Sequence, residues 1–205
     1  LALITTLAKL YIQKLWLLNL EWDAKLSDEL SKEWRSILKN ISIIEQVEIP
    51  RWLNTTMECN WELHGFADAS GKAYAAVVYA KVGNTITLIA AKGKVNPIKN
   101  RKTLPKLELC AAHHLAKLIK KMLGLMQREV KIYAWSDSTI ALAWISSKEK
   151  SKDKFIRTRV NEIQEFLPKA KWAHVRIKRG INFIGSFYHL LFGLMDNDDR
   201  EELDP

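Results

Sequence analysis

The chain has 205 residues, 48% of them hydrophobic and 27% charged, so a sizeable core is available and wholesale disorder is excluded. No run of about 18 uninterrupted apolar residues occurs, which argues against a membrane span. Lys and Arg number 32 against 23 acids, a net charge of +9 that points to polyanionic partners.

Residues 1 to about 48 read as helical. Leu7, Leu10, Tyr11, Leu17 and Leu18 fall near helical spacing, and Ser27-Asp28-Glu29-Leu30 opens a second amphipathic stretch through Trp34, Ile37 and Leu38. The opening LALITTLAKLYIQKLWLLNL carries Lys9 and Lys14 and lacks the basic start and cleavage site of a signal peptide, so an intracellular chain, cytoplasmic or nuclear and not secreted, is expected. From the start at Leu1 rather than Met, a piece of something longer is expected. Trp16, Trp22, Trp34, Trp52 and Trp61 crowd the first 61 residues, the density of a connector that packs on a neighbouring domain. Pro50 and Asn54-Thr55-Thr56 mark a boundary near residue 55.

Beyond it the pattern predicts a strand from Glu62 to Ala67 ending at Asp68, then strands over Lys72 to Lys81 and Thr85 to Lys92 joined at Val82-Gly83-Asn84 as a hairpin. Pro105 to Leu123 reads as a long helix with Leu107, Cys110, Ala111, His114, Leu115, Leu118 and Met122 on one face. A strand over Glu129 to Ser136 and a helix over Ser138 to Ser146 follow. The next helix, Phe155 to Leu167, is stopped by Pro168. A strand over Lys171 to Ile177 and a final helix over Ile181 to Met195 complete an α/β chain with a mixed sheet flanked by helices. Cys59 and Cys110 lack metal-knuckle spacing and read as core thiols rather than a disulfide.

The charge is clustered. Lys148 to Arg179 holds 11 basic and 4 acidic residues, Lys92 to Lys106 holds 6 basic and none acidic, and Asp196 to Asp204 reverses the sign with 6 acids. The basic clusters have two readings, a footprint for a phosphate backbone or solvated helix faces.

Three acids stand at element ends: Asp68 closing the first strand, Glu108 one turn into the long helix, and Asp137 closing the fourth strand. In α/β sheets, side chains from distant positions converge at such ends. Singly, the aspartates read as turn formers or caps and Glu108 as a first-turn acid favoured by the helix dipole. Together, hard oxygen ligands at one point require a hard cation such as Mg²⁺, and two ions about 4 Å apart activate water and stabilise the leaving oxygen of a phosphodiester. A pair of sugar-hydrolase carboxylates is the alternative, and the basic surroundings favour a polyanionic substrate instead.

The segments FADASGKAYAAVVY (66–79), TLPKLELCAA (103–112) and WSDSTIALAW (135–144), with WAHV (172–175) and IPRW (49–52), closely resemble the ribonuclease H region of BEL/Pao-type retrotransposon polyproteins, the Pao retrotransposon peptidase family. The resemblance covers nearly the whole chain. It implies a ribonuclease H-like five-stranded mixed sheet at residues 56–195, a helical connector at 1–55 like the end of a reverse transcriptase, and an acidic tail at 196–205. It further implies two Mg²⁺ or Mn²⁺ ions held by Asp68, Glu108 and Asp137 as catalytic carboxylates. The substrate would be the RNA strand of an RNA–DNA hybrid, and the reverse-transcriptase part a further partner. Ser70, Ser138 and Thr139 are candidates for the nucleic-acid backbone, or equally for helix caps. Lys99, Arg101 and Lys102 are candidate phosphate contacts.

One position departs from the family. A late Asn-x-Ala-Asp segment, whose Asp is the fourth metal ligand, is matched by NFIGSFYH (182–189), which places Gly185 where that Asp belongs. No acid occurs from Arg179 to Met195. Tyr188-His189 replaces the family's Ser-Arg, with His189 a surface or packing residue or a proton shuttle. The expectation is a two-metal nuclease impaired by Gly185, with a catalytically inactive nucleic-acid-binding or interaction remnant as the alternative. Peptidase activity is not expected, since neither Asp68-Ala69-Ser70-Gly71 nor Asp137-Ser138-Thr139 is the paired Asp-Thr/Ser-Gly loop it needs. Nor is polymerase activity, for want of a paired-Asp motif.

Overall fold

Alternation of apolar residues along three consecutive β-rich stretches builds the centre of the molecule. The computed structural model describes residues 2–42, 48, 52, 60–126 and 129–175. Strands β1 (Trp61–Ala69), β2 (Ala73–Val82) and β3 (Thr85–Val95) form an antiparallel meander, and Gly83 takes the left-handed φ of +58° that the tight β2–β3 turn requires. Helix α3 (Leu104–Met126) crosses over to β4 (Lys131–Ser136), which pairs parallel to β1 on its other side. Helices α4 (Thr139–Ser146) and α5 (Lys154–Phe166) lead to β5 (Lys171–His174), parallel to β4. The strand order is β3-β2-β1-β4-β5, the mixed five-stranded sheet expected from the sequence.

Each strand divides its side chains between two layers. Leu63, Ala67, Ala76, Val78 and Ala80 meet Leu109, Ala112, Leu115 and Ile119 of α3 and Ile163 of α5 in the main core. Phe66, Val77, Tyr79, Trp135 and Val175 form a second cluster, with Phe66 stacked on Trp135 at 6.2 Å between ring centroids. Helix α3 is buried over more of its circumference than the predicted stripe, Leu109 and Ala112 included, because both the sheet and α5 cover it.

Gly65 sets how closely α3 approaches the sheet. A Cβ there would lie 2.5 Å from Leu115 Cδ1 and 2.9 Å from Ile119 Cδ1. Gly65→Val is therefore expected to overpack this contact and destabilise the chain by about 1–3 kcal/mol, read as a lower urea midpoint. A midpoint equal to the parent's would show that α3 has room to move away.

Toward the N-terminus the predicted helical region is two helices, α1 (Ala2–Leu17) and α2 (Asp28–Ser42), separated where Asn19 adopts a left-handed φ of 50° that ends α1. They pair through Tyr11, which stacks on Trp34 at 5.3 Å and donates its hydroxyl to Leu30 O at 3.0 Å. Trp16 and Trp22 are exposed. The element ends shift modestly: β3 runs through Gly93 to Val95, α3 continues to Met126, and β4 starts at Lys131 rather than Glu129. Cys110 is a free, buried thiol. Among the described residues, no helix is long and apolar enough to cross a membrane. The boundary near residue 55, Cys59, the final helix over 181–195 with Gly185 and His189, and the acidic tail lie outside the described residues.

Candidate metal centre

Parallel pairing of β1 with β4 places Ala67 opposite Ser136, so Asp68, the next residue of β1, and Asp137, the first residue beyond β4, emerge side by side at the same end of the sheet. Glu108 arrives from above, one turn into α3. The helix is anchored there by the Thr103 carbonyl, which accepts the Leu107 N–H, and by Lys106, whose ammonium lies 2.8 Å from the Asp153 carboxylate at the start of α5. One carboxylate oxygen from each of Asp68, Glu108 and Asp137 falls within 4.8 Å of the others. Acids separated by some 30 to 40 residues in sequence thus share one pocket.

Its electrostatics are unfavourable as they stand. Burial raises the Asp68 pKa to about 7, and the Asp137 charge adds to the rise. Burial likewise raises Glu108 to about 8, with Asp137 and Asp68 adding repulsion. Asp137 is raised by burial, against its own backbone hydrogen bond and the nearby His174. The Ala69 backbone amide favours the ionised form of both Asp68 and Glu108 but does not offset the burial. Glu108 Oε2 and Asp137 Oδ1 are buried without a hydrogen-bond donor. Orphaned, clustered, hard oxygens are a donor set that fits a divalent cation such as Mg²⁺ or Mn²⁺.

The surrounding polar residues are largely occupied by backbone. Ser138 caps α4, accepting the Ala141 N–H at 3.2 Å, and the Ser136 hydroxyl accepts the Ser138 N–H at 3.2 Å. Ser70 closes the β1–β2 turn, its hydroxyl oxygen accepting the Ala73 N–H at 3.2 Å. Thr139, Lys99 and Arg101 are exposed, and Lys102 is half-buried. Two residues that sequence reasoning did not single out also belong to this region. His174, within the WAHV segment, has its Nε2 3.2 Å from the Asp137 carbonyl. Asn96 is buried among backbone groups of the turn after Asp68 and the loop before α3. Neither carries a spacing signal; only the pairing of β5 with β4 and the path of the loop bring them here.

The sheet order and the carboxylate pocket define a ribonuclease H-like domain. The Pao retrotransposon-like RNaseH-like domain model matches residues 1–138, about two thirds of the chain and a span containing all three acids, and the chain belongs to that family. Among solved structures, the foamy viral protease-reverse transcriptase in complex with dsDNA is 15% identical over 83% of this chain and 34% of its own, with a TM-score of 0.52. A second structure of that viral protein with dsDNA gives 17% identity over 83% and 29%, with a TM-score of 0.50. This chain thus spans about a third of the viral polypeptide. RNase H1 from the halophilic archaeon Halobacterium salinarum is 16% identical over 58% of this chain and 86% of its own, with a TM-score of 0.40. No curated protein matches the chain.

Proposed function

We propose that the chain is the ribonuclease H domain of a BEL/Pao-type retrotransposon polyprotein, built to hydrolyse the RNA strand of RNA–DNA hybrids and impaired by Gly185. The observation that carries this reading is the convergence of Asp68, Glu108 and Asp137 at one pocket of a ribonuclease H-like sheet. These three would hold the Mg²⁺ or Mn²⁺ ions, with Asp68 as the central carboxylate and Asp137 nearest the scissile phosphate. When bound, such ions polarise the phosphodiester and lower the pKa of water. The chain's own part would be to hold the three carboxylates in one fixed cluster whose charge a cation compensates, and to bind the flanking phosphates.

Cations near the site would supply that binding. The exposed Lys99 and Arg101 and the half-buried Lys102 stand on the loop leading to Glu108, and Lys148 to Lys154 run from the end of α4 to the first residue of α5, whose start Lys106 joins to α3. Replacing Lys99, Arg101 and Lys102 with Gln is expected to weaken hybrid binding and to flatten the dependence of log K on log salt by about one unit for each phosphate no longer neutralised. An unchanged slope assigns these residues to solubility alone. Residues 1–55 would be the connector from the reverse transcriptase, with the exposed Trp16 and Trp22 available to that partner.

The second reading, a non-enzymatic nucleic-acid-binding module, is favoured by the missing fourth acid at Gly185. Calorimetric titration with Mg²⁺ and a cleavage assay on an RNA–DNA hybrid separate the two. Weak Mg²⁺ binding with slow release of 5′-phosphate RNA products supports the enzyme. Hybrid binding without Mg²⁺ binding or cleavage supports the module, and a chain that binds neither Mg²⁺ nor hybrid defeats both.

A further inference from the structure

Asn96 follows β3, is 5% exposed, and has its backbone and side-chain polar atoms engaged. Its backbone N–H donates to Lys72 O at 2.7 Å, and its side-chain amide donates to Gly71 O at 3.1 Å and Lys102 O at 3.4 Å. Its Oδ1 accepts the Lys102 N–H at 3.3 Å, and its carbonyl accepts the Gln13 side-chain amide at 2.9 Å. Three separated segments meet on this one residue: the turn that follows Asp68, the basic loop that runs into the first turn of α3 below Glu108, and helix α1. A buried amide satisfied on every side fixes the position of what it bonds, and removing it leaves several backbone groups unpaired at once.

The contact with α1 has a second, independent support three residues earlier. A Cβ at Gly93 would lie 2.4 Å from Thr6 Oγ1 and 3.6 Å from the Ala2 carbonyl oxygen, so the Thr6 side chain of α1 packs into the space the glycine leaves. Helix α1 is thereby held against the strand end from which the basic loop departs. A loop needing only to connect β3 to α3 would require neither the close approach nor the bonds to the other two segments.

We infer that Asn96 is a positioning residue whose side chain ties the Lys99–Lys102 loop to the β1–β2 turn and whose backbone carbonyl receives Gln13 of helix α1, so that the three form one rim beside the carboxylates and the N-terminal helix is part of the nucleic-acid-binding surface. This inference rests on the proposed reading that the rim receives an RNA–DNA hybrid. Asn96 touches neither the acids nor the reacting atoms. It acts through Lys102 and through the turn at Gly71.

The test is equilibrium binding of a short RNA–DNA hybrid, with Ca²⁺ in place of Mg²⁺, to the full chain and to Asn96→Ala and Gln13→Ala. Hydrogen exchange at the Lys102 amide and Mg²⁺ calorimetry accompany it. Asn96→Ala is expected to weaken hybrid binding about tenfold and to speed exchange at Lys102, with Mg²⁺ affinity unmoved, as loss of well-placed hydrogen bonds implies. Gln13→Ala removes the hydrogen bond from α1 to the Asn96 carbonyl while the Thr6–Gly93 contact remains, and is expected to weaken binding about two- to threefold in the same direction. A parent chain that binds the hybrid no more tightly than both variants overturns the inference alone. So does an Asn96→Ala chain whose Mg²⁺ affinity falls in step with hybrid affinity, since the effect then runs through the acids. A parent that fails to bind the hybrid overturns the functional reading of the rim, and the inference with it.

Discussion

Asp68→Asn is expected to lose Mg²⁺ binding by about 100-fold or more and, in metal-free buffer, to unfold at a higher temperature than the parent. Both effects come from one cause. The Asp68 carboxylate is half-buried beside Asp137 and Glu108, and its pKa of about 7 shows how far the fold disfavours its charge when no cation is present. Because the folded-state values of Asp68 and Glu108 lie above their unfolded ones, the native state holds more protons between about pH 4 and about pH 8. Stability without metal is therefore greatest below that window and falls as pH rises through it. Asparagine keeps the shape and removes one charge from the cluster. Discounted for partial exposure and for the relaxation of the two remaining acids, the gain is about 1–2 kcal/mol near neutral pH, or about 2–6 °C in Tm. At pH 4 the gain should nearly vanish. Calorimetric melts of both chains at pH 4 and pH 8 in chelator decide it. An Asp68→Asn chain that melts lower than the parent at pH 8, or that retains parental Mg²⁺ affinity, would show that the pocket is not a strained cation site.

Gly185→Asp is expected to raise hybrid cleavage by roughly 100-fold or more. On the proposed reading, three carboxylates would neutralise and orient two divalent ions incompletely, and misplacement of about 1 Å at a reacting centre already costs about that much in rate. The resemblance implies a fourth acid at the position Gly185 occupies, and no other carboxylate lies between Arg179 and Met195 to take that role. The comparison is of initial cleavage rates with Mg²⁺ and with Mn²⁺, in parent and variant. Mn²⁺, which tolerates irregular oxygen sites better, should narrow the gap. Robust cleavage by the parent that Gly185→Asp does not improve would remove the case for impairment.

Much of the architecture is legible in the sequence because the periodicities are strong. The β2–β3 hairpin follows from β-formers on either side of Val82-Gly83-Asn84, and α5 from its apolar spacing and Pro168. Less legible are places where tertiary contact overrides local signals. The β3 pattern reads as ending at Lys92, yet the strand continues through Gly93 to Val95, where the missing side chain makes room for Thr6. Residues 18–27 read as part of one helical region, whereas Asn19 turns the chain back so that Tyr11 meets Trp34. At the site, a glutamate set among Leu107, Leu109 and Cys110 stands out, yet taken singly it reads as a first-turn acid favoured by the helix dipole. That it meets Asp68 and Asp137 depends on β1 and β4 lying adjacent, which no local pattern encodes. Asn96 is invisible for the same reason, its partners being backbone or side-chain groups of three separate segments.

The adjacency of β1 and β4 also bears on how the chain reaches its native state. Ala67 and Ser136 are about 70 residues apart, and the meander and α3 intervene. Closing so long a loop is entropically costly until the intervening elements have collapsed, so β4 docks late. The share of the acids' mutual repulsion that Asp137 brings is thus deferred until β4 docks, and a nascent polypeptide can complete its hairpins and its long helix before the third like charge arrives.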